Sequence, residues 1–346
     1  MGTMSDYIKW RGDLEFWQDG FNIIDNIVLS CLSYIPMDGI FEKTGAEVIS
    51  IKELNEIYFR EFFDEERFGK GSILSNAPDT LKMIADTNRY RHIKVRNYVS
   101  ILEPDKTLQF AAMEFLLPDG TSYIAFRGTD DTIVGWKEDF MLALEEVEAE
   151  RQAVEYLNKT GSENNRLIRI GGHSKGGHLA IYATALCDVA IRERIINVYS
   201  NDGPGFMKKT VKSNWMKAIR SKIISIIPED SIVGLLMEPV CPPIVVKSTA
   251  ISVAQHNPAT WCIEGNHLIT TEEVSKTAKF VEQKLKENIY KMSNDELNEF
   301  VDNLFSIFES TGAITLPDLK KIGLKGLHKM TKTVGSISKK RSNNSN

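Results

Sequence analysis

Residues 167–180 read LIRIGGHSKGGHLA, and this stretch decides the fold. The apolar run at 167–170 predicts a short buried strand, and residues 177–190 predict a helix. Between them stands Gly172-x-Ser174-x-Gly176, a pattern that holds a serine in a sharp strand-to-helix turn. Neighbours without a Cβ relieve the clashes of such a strained turn. The sequence therefore predicts Ser174 as an exposed nucleophile at the start of a helix.

Two backbone N–H groups are the candidates for stabilising an oxyanion at this serine. Lys175 follows Ser174 at the helix N-terminus, where its N–H can donate with the aid of the helix dipole. Residues 123–131 predict a strand followed by a Gly-Thr turn, which makes Thr129 the second candidate. An ordinary glycine-rich turn or a phosphate cradle is the alternative interpretation. The spacing of a P-loop is absent, so Lys175 does not mark one.

A serine hydroxyl needs a base, and the base needs a carboxylate to orient it. In hydrolases with this type of turn the order is serine, acid, histidine. The predicted strand at 223–227 ends just before Asp230, which makes Asp230 the preferred acid. Glu229 beside it and Asp202, which follows the preceding strand, remain alternatives.

His256 is the preferred base because it directly follows a predicted strand at 244–254. His267 precedes a predicted helical tail, where a capping or surface role is more common, and His328 lies far out in a basic tail. His173 and His178 flank the serine, and we interpret both as packing or hydrogen-bonding groups.

The rest of the chain alternates strands and helices. Antiparallel strands are predicted at 98–102, 108–117 and 121–127, and strands alternate with helices from 144 to 254. This rhythm is typical of an α/β protein with a mostly parallel central sheet flanked by helices. We predict an N-terminal helical segment or cap at 1–90, a catalytic core at 91–270 and a helical extension with a basic tail at 271–346.

Composition narrows the class of protein. The chain has 346 residues, 42% hydrophobic and 26% charged, as in an ordinary globular protein. It has no signal-peptide pattern and no apolar run of eighteen residues, so we expect a cytoplasmic protein. We expect no metal and no cofactor, because the cysteines are scattered, and we interpret them as reduced core residues: Cys31, Cys187, Cys241 and Cys262.

Charge is distributed unevenly along the chain. The net charge is −5, yet residues 319–346 hold eight Lys or Arg and no acid. The acidic body argues against a nucleic-acid groove, which needs clustered cations. Apolar residues recur on one face of this tail among its lysines, so peripheral membrane contact is one hypothesis and a flexible or docked tail is the other.

Several motifs together resemble a known family. The segment Phe126-Arg127-Gly128-Thr129, with Trp136 and Asp139 after it, and Gly172-His173-Ser174-Lys175-Gly176-Gly177 are similar to class 3 (fungal triacylglycerol) lipases. The segments Asp230-Ser231-Ile232-Val233-Gly234, Trp10-Arg11-Gly12-Asp13 and His256-Asn257-Pro258 extend the match. Over residues 5–270 the chain resembles a bacterial family of lipase-like α/β-hydrolases. This resemblance implies a triad of Ser174, Asp230 and His256, with Thr129 in the oxyanion hole. Lys175 departs from the residue that lipases usually carry after the serine.

We therefore expect an α/β-hydrolase fold and a serine hydrolase that cleaves carboxylic esters of small acyl or lipid substrates. Thioesterase or acyltransferase chemistry would use the same residues. The alternative is a non-catalytic binding or scaffold protein that retains the fold, which the polar N-terminal segment and the long helical tail would suit.

Overall fold

The computed structural model describes residues 1–64, 73–103, 108–129 and 148–289. The helices are α1 (Met4–Arg11), α2 (Ile23–Leu32), α3 (Ile40–Thr44), α4 (Ile51–Ile57), α5 (Ile73–Ile84), α6 (Glu148–Ser162), α7 (Lys175–Leu186), α8 (Val189–Arg194), α9 (Lys208–Val211), α10 (Asn214–Ile219) and α11 (Lys276–Ile289). The strands are β1 (Val48–Ser50), β2 (Lys94–Glu103), β3 (Leu108–Leu116), β4 (Ser122–Phe126), β5 (Ile168–His173), β6 (Ile195–Asn201), β7 (Ile223–Pro228), β8 (Ile244–Val246), β9 (Ile263–Glu264), β10 (His267–Leu268) and β11 (Thr270–Thr271).

Nine strands form one mixed sheet in the order β1-β2-β3-β4-β5-β6-β7-β8-β11. Strands β4 to β8 are parallel, whereas β1 to β3 and β11 join the sheet antiparallel to their neighbours. The parallel strands are joined by helical crossovers, as parallel neighbours require. The predicted α/β class with a mostly parallel centre is confirmed at this level.

Side chains of the central strands alternate between two apolar layers. On β4, Tyr123 and Ala125 pack with α2 and α5, whereas Ile124 and Phe126 pack with α6 and α7. Because successive side chains of a strand point to opposite faces, a strand covered on both sides has no polar face. This burial explains why the central strands are continuous apolar runs in the sequence.

A buried ion pair fixes the N-terminal helices. Asp25 of α2 accepts from Arg89 Nε at 2.7 Å and Nη2 at 2.6 Å, and from the Tyr90 hydroxyl at 2.6 Å. The guanidinium also donates to the main-chain oxygens of Asp19 and Gly20. The sequence-based interpretation of Asp25 as a buried structural partner is confirmed.

The structure differs from the sequence prediction at both ends of the sheet. The region 35–87, predicted to be helical, also contributes β1, which pairs with β2 at one edge. The strand predicted at 244–254 ends at Val246, and His256 lies instead in a 3₁₀ turn, Ser252–His256. Residues 290–346, including His328 and the basic tail, lie outside the described residues, as do Trp136 and Asp139.

The cysteines and the helix lengths agree with simple expectations. All four cysteines are free, and burial raises the pKa of Cys31 to about 12 and that of Cys187 to about 11. In the described part of the chain, no helix has both the length and the apolar character needed to cross a bilayer.

Candidate active site

Ser174 stands alone between β5 and α7 in a strained conformation. Its φ of 55° and ψ of −130° lie in a region that non-glycine residues rarely adopt. The flanking glycines allow this turn: a Cβ on Gly172 would lie 2.4 Å from the carbonyl carbon of Gly176, and one on Gly176 would lie 2.1 Å from Phe126 O. The structure thus places Ser174 in the predicted strand-to-helix turn.

Asp202 follows the neighbouring strand at the same edge of the sheet. Strands β5 and β6 pair in parallel with His173 opposite Asn201, so Ser174 and Asp202 occupy equivalent positions. The Ser174 N–H donates to Asn201 O at 2.9 Å. Asp202 has a φ of 51°, a left-handed conformation that aspartate tolerates better than most residues. The two parallel strands therefore bring a hydroxyl and a carboxylate to one point.

The carboxylate of Asp202 is fully buried and bonds the imidazole of His256. The distance from Asp202 Oδ2 to His256 Nδ1 is 2.7 Å. The other oxygen, Oδ1, accepts from Ser231 Oγ at 2.5 Å and from the Gly234 N–H at 3.1 Å. These contacts satisfy the buried carboxylate and hold the Nδ1 side of the imidazole.

Asp230 is not the partner of His256, which corrects the sequence-based prediction. Its Oδ2 accepts from Gln255 Nε2 at 3.1 Å and from the Ser252 N–H at 3.2 Å, and its N–H donates to Gln255 Oε1. The physical reason is position: Asp230 follows β7, one strand farther from β5 than Asp202. Its contacts instead brace the 3₁₀ turn that carries His256. Glu229, the other alternative, donates its backbone N–H to Val246 O beside the next strand.

The segment from Asp230 to Gly234 therefore supports both members of the pair. Asp230 holds the turn of His256, while Ser231 and Gly234 hold Asp202. A Cβ on Gly234 would lie 2.5 Å from Asp202 Oδ1, so only glycine lets the backbone approach the carboxylate this closely. The motif carries chemistry through the residues it positions.

The turn after β4 runs directly beside Ser174. Strand β4 pairs with β5 so that Phe126 faces Gly172. A Cβ on Gly128 would lie 3.2 Å from Ser174 Cβ and 2.5 Å from His173 O. Thr129, which follows, is buried at the end of the described segment.

Lys175 begins α7, as predicted, but its side chain takes an unexpected course. It is almost fully buried, and its Nζ donates to Gln109 O at 2.9 Å on β3. The position after the serine therefore holds a buried cation along the edge of the sheet, whereas its backbone N–H lies at the helix N-terminus.

The other histidines have separate environments. His178 on α7 contacts Glu150 Oε1 at 2.9 Å and Pro204 O at 3.3 Å, and its ring stacks on Phe206. His267 lies in the small β9–β10 sheet, exposed and paired opposite Glu264. Within the described ranges there is no group of three or more His, Cys, Asp or Glu arranged to hold a metal ion.

Sequence reasoning ranked the acid incorrectly, although it had named Asp202 as an alternative. The signal lay in Asn201-Asp202-Gly203-Pro204-Gly205: a carboxylate directly after a parallel strand, followed by glycine. A Cβ on Gly203 would lie 2.8 Å from Ser174 O, so this turn must pass close to the serine. Such a requirement is visible only once the strands are paired.

Comparisons with known proteins give one family. No curated protein matches the chain. A solved structure titled as a model for interfacial activation in lipases, from a fungal lipase–inhibitor complex, shares 14% identity over 64% of this chain and 77% of that chain, with a TM-score of 0.38. A likeness at that score is too weak to support conclusions about this chain. The model of the Mbeg1-like family matches residues 84–306. The chain belongs to the Mbeg1-like family.

Proposed function

We propose that this protein is a serine hydrolase of the α/β-hydrolase fold that cleaves carboxylic esters through an acyl-enzyme on Ser174. The observation that carries the proposal is the strained turn of Ser174 at the same sheet edge as the buried Asp202–His256 pair. A nucleophile, a base and a carboxylate that orients the base are the parts that acyl transfer needs.

In the proposed mechanism, His256 removes the Ser174 proton as the hydroxyl attacks the ester carbonyl. Asp202 fixes the tautomer with the hydrogen on Nδ1 and stabilises the imidazolium that forms. The backbone N–H groups of Lys175 and Thr129 are the proposed donors to the oxyanion. His256 then returns the proton to the leaving alcohol, and a water activated by the same base releases the acid.

The test is labelling by a fluorophosphonate probe together with hydrolysis of p-nitrophenyl esters of graded chain length. We expect the wild-type protein to be labelled and Ser174→Ala to be unlabelled and inactive. Ser162→Ala is the matched control, because its side chain is exposed on α6 and only bonds Lys159 O.

The outcome separates the proposal from its alternative. Absence of both labelling and hydrolysis in the folded wild-type protein would favour a binding or scaffold protein. Labelling that persists in Ser174→Ala would assign the nucleophile to another residue.

A further inference from the structure

His173, the residue before Ser174, makes two directional contacts from a fully buried position. Its Nδ1 lies 2.9 Å from the Tyr34 hydroxyl, and its Nε2 lies 2.8 Å from the main-chain oxygen of His256. A carbonyl oxygen can only accept, so Nε2 carries the hydrogen and donates to His256 O. In the neutral ring Nδ1 then accepts from Tyr34. The two contacts define a single tautomer.

The neutral state of His173 suits its position against His256. The centroids of the two rings are 4.4 Å apart. Burial, and then the neighbouring His256, lower the pKa of His173 well below its ordinary value. A base that becomes an imidazolium during catalysis would be opposed by a second cation at this distance. A neutral imidazole gives a directional donor without that penalty.

The main chain of His256 needs such a donor because of where it lies. His256 ends a 3₁₀ turn beyond the last residue of β8, so no strand ladder fixes its carbonyl. Asp202 holds the ring at Nδ1, and His173 holds the backbone from the strand that also carries Ser174. The serine and its base are thereby linked through adjacent atoms of one strand end.

Tyr34 also adjoins the turn proposed to form the oxyanion hole. A Cβ on Gly128 would lie 2.2 Å from the Tyr34 hydroxyl oxygen. Tyr34 follows α2, so the N-terminal segment reaches the site through this hydroxyl.

We propose that Tyr34 and His173 are positioning residues that fix the main chain of the base His256, with the Nε2–H of His173 as the donor. The inference rests on the proposed hydrolase function and deepens it. Neither side chain is assigned contact with substrate.

The experiment compares three variants in ester hydrolysis. His173→Phe keeps the volume and removes the donor, His173→Gln keeps an N–H near the position of Nε2, and Tyr34→Phe removes only a hydroxyl. Tyr98→Phe is the matched control, since its hydroxyl bonds Asp38 on the surface. Urea unfolding of each variant shows which ones fold.

We expect kcat to fall about 10²-fold in His173→Phe with little change in KM, as for a displaced catalytic group. His173→Gln should recover most of the loss, and Tyr34→Phe should lose kcat to a smaller extent. The pH at which kcat/KM half-rises should shift in His173→Phe and stay in place in Tyr98→Phe. A purely structural role would lower stability without this split or shift.

Two results would overturn the positioning role: wild-type kcat in a folded His173→Phe, or a His173→Gln as slow as the phenylalanine variant. Should the phenylalanine variant not fold, wild-type kcat in Tyr34→Phe together with wild-type kcat in His173→Gln and in a folded His173→Asn would overturn it.

A second measurement does not depend on activity. In ¹⁵N-histidine NMR spectra of the wild-type protein, His173 should be the neutral Nε2–H tautomer, and its signals should disappear in His173→Gln. The opposite tautomer overturns the contact even in an active enzyme. An inactive wild-type protein overturns the hydrolase function and the catalytic role of the contact together, whereas an active protein insensitive to His173 overturns only the latter.

Discussion

Two aspartates lie near His256, and their contacts predict different results of mutation. Asp202 bonds the imidazole, whereas Asp230 bonds Gln255 and the Ser252 N–H of the same turn. We expect Asp202→Asn to lower kcat by about 10³–10⁴-fold, because the amide favours the wrong tautomer of the base. Asp230→Asn should lower kcat much less, by loosening the turn. Ester hydrolysis at saturating substrate measures both, and a larger loss in Asp230→Asn would restore Asp230 as the acid.

His173 also predicts a pH dependence of stability. Its folded pKa lies well below the model value of 6.5, so the unfolded chain binds the proton more readily. The free energy of unfolding should therefore fall as the pH drops below about 6.5, at up to about 1.4 kcal/mol per pH unit from this group. His173→Gln should show a shallower fall between pH 6.5 and 5.5 in urea unfolding. Parallel curves for the two proteins would contradict this.

At the scale of elements, the turn between β5 and α7 depends on close backbone contact with β4. A Cβ on Gly176 would lie 2.1 Å from Phe126 O, and the backbone there cannot yield easily. We expect Gly176→Ala to lower the free energy of unfolding by about 3 kcal/mol or more. Gly20→Ala, where a Cβ meets nothing within 4 Å, should change it by less than about 0.5 kcal/mol. Thermal and urea unfolding followed by circular dichroism compare the two.

The strand, turn and helix around Ser174 were predictable because local chemistry determines them. An apolar strand buried on both faces and glycines at fixed offsets leave few other structures for residues 168–186. The acid was not predictable in this way. Asp202 and Asp230 both follow parallel strands, and loop packing at Ser231 and Gly234 decides which carboxylate reaches His256. The short strand β1 escaped prediction because three residues carry almost no periodic signal.

Across the whole molecule, the Asp25–Arg89 pair ties the N-terminal helices to the residues before β2. Both side chains are fully buried. We expect Arg89→Met to cost about 3–5 kcal/mol of unfolding free energy, because it leaves the Asp25 carboxylate buried without its cation. Arg151→Met is the matched control, since its ion pair with Glu148 is largely exposed and should contribute under about 0.5 kcal/mol. Equal midpoints for the two variants in urea would contradict the structural role of the pair.

The basic tail gives a prediction about surfaces, although it lies outside the described residues. If residues 319–346 bind anionic lipid, the full chain should co-sediment with anionic vesicles at low salt and less at high salt. A chain ending at Pro317 should stay in the supernatant. Equal pelleting of both chains, or of neither, contradicts the anchor.

The buried bond between Asn26 and Asn201 has a consequence for the order of folding. The two amides meet at 2.9 Å across 175 positions of the chain, and Asn201 also donates to Gly172 O beneath the serine. Contacts so distant in sequence close large loops and slow the search for the native state. During synthesis α2 must wait, with its apolar face uncovered, until β6 has left the ribosome. The N-terminal helices are thus made first and seated late, an interval in which the nascent chain depends on chaperones or speed to avoid aggregation.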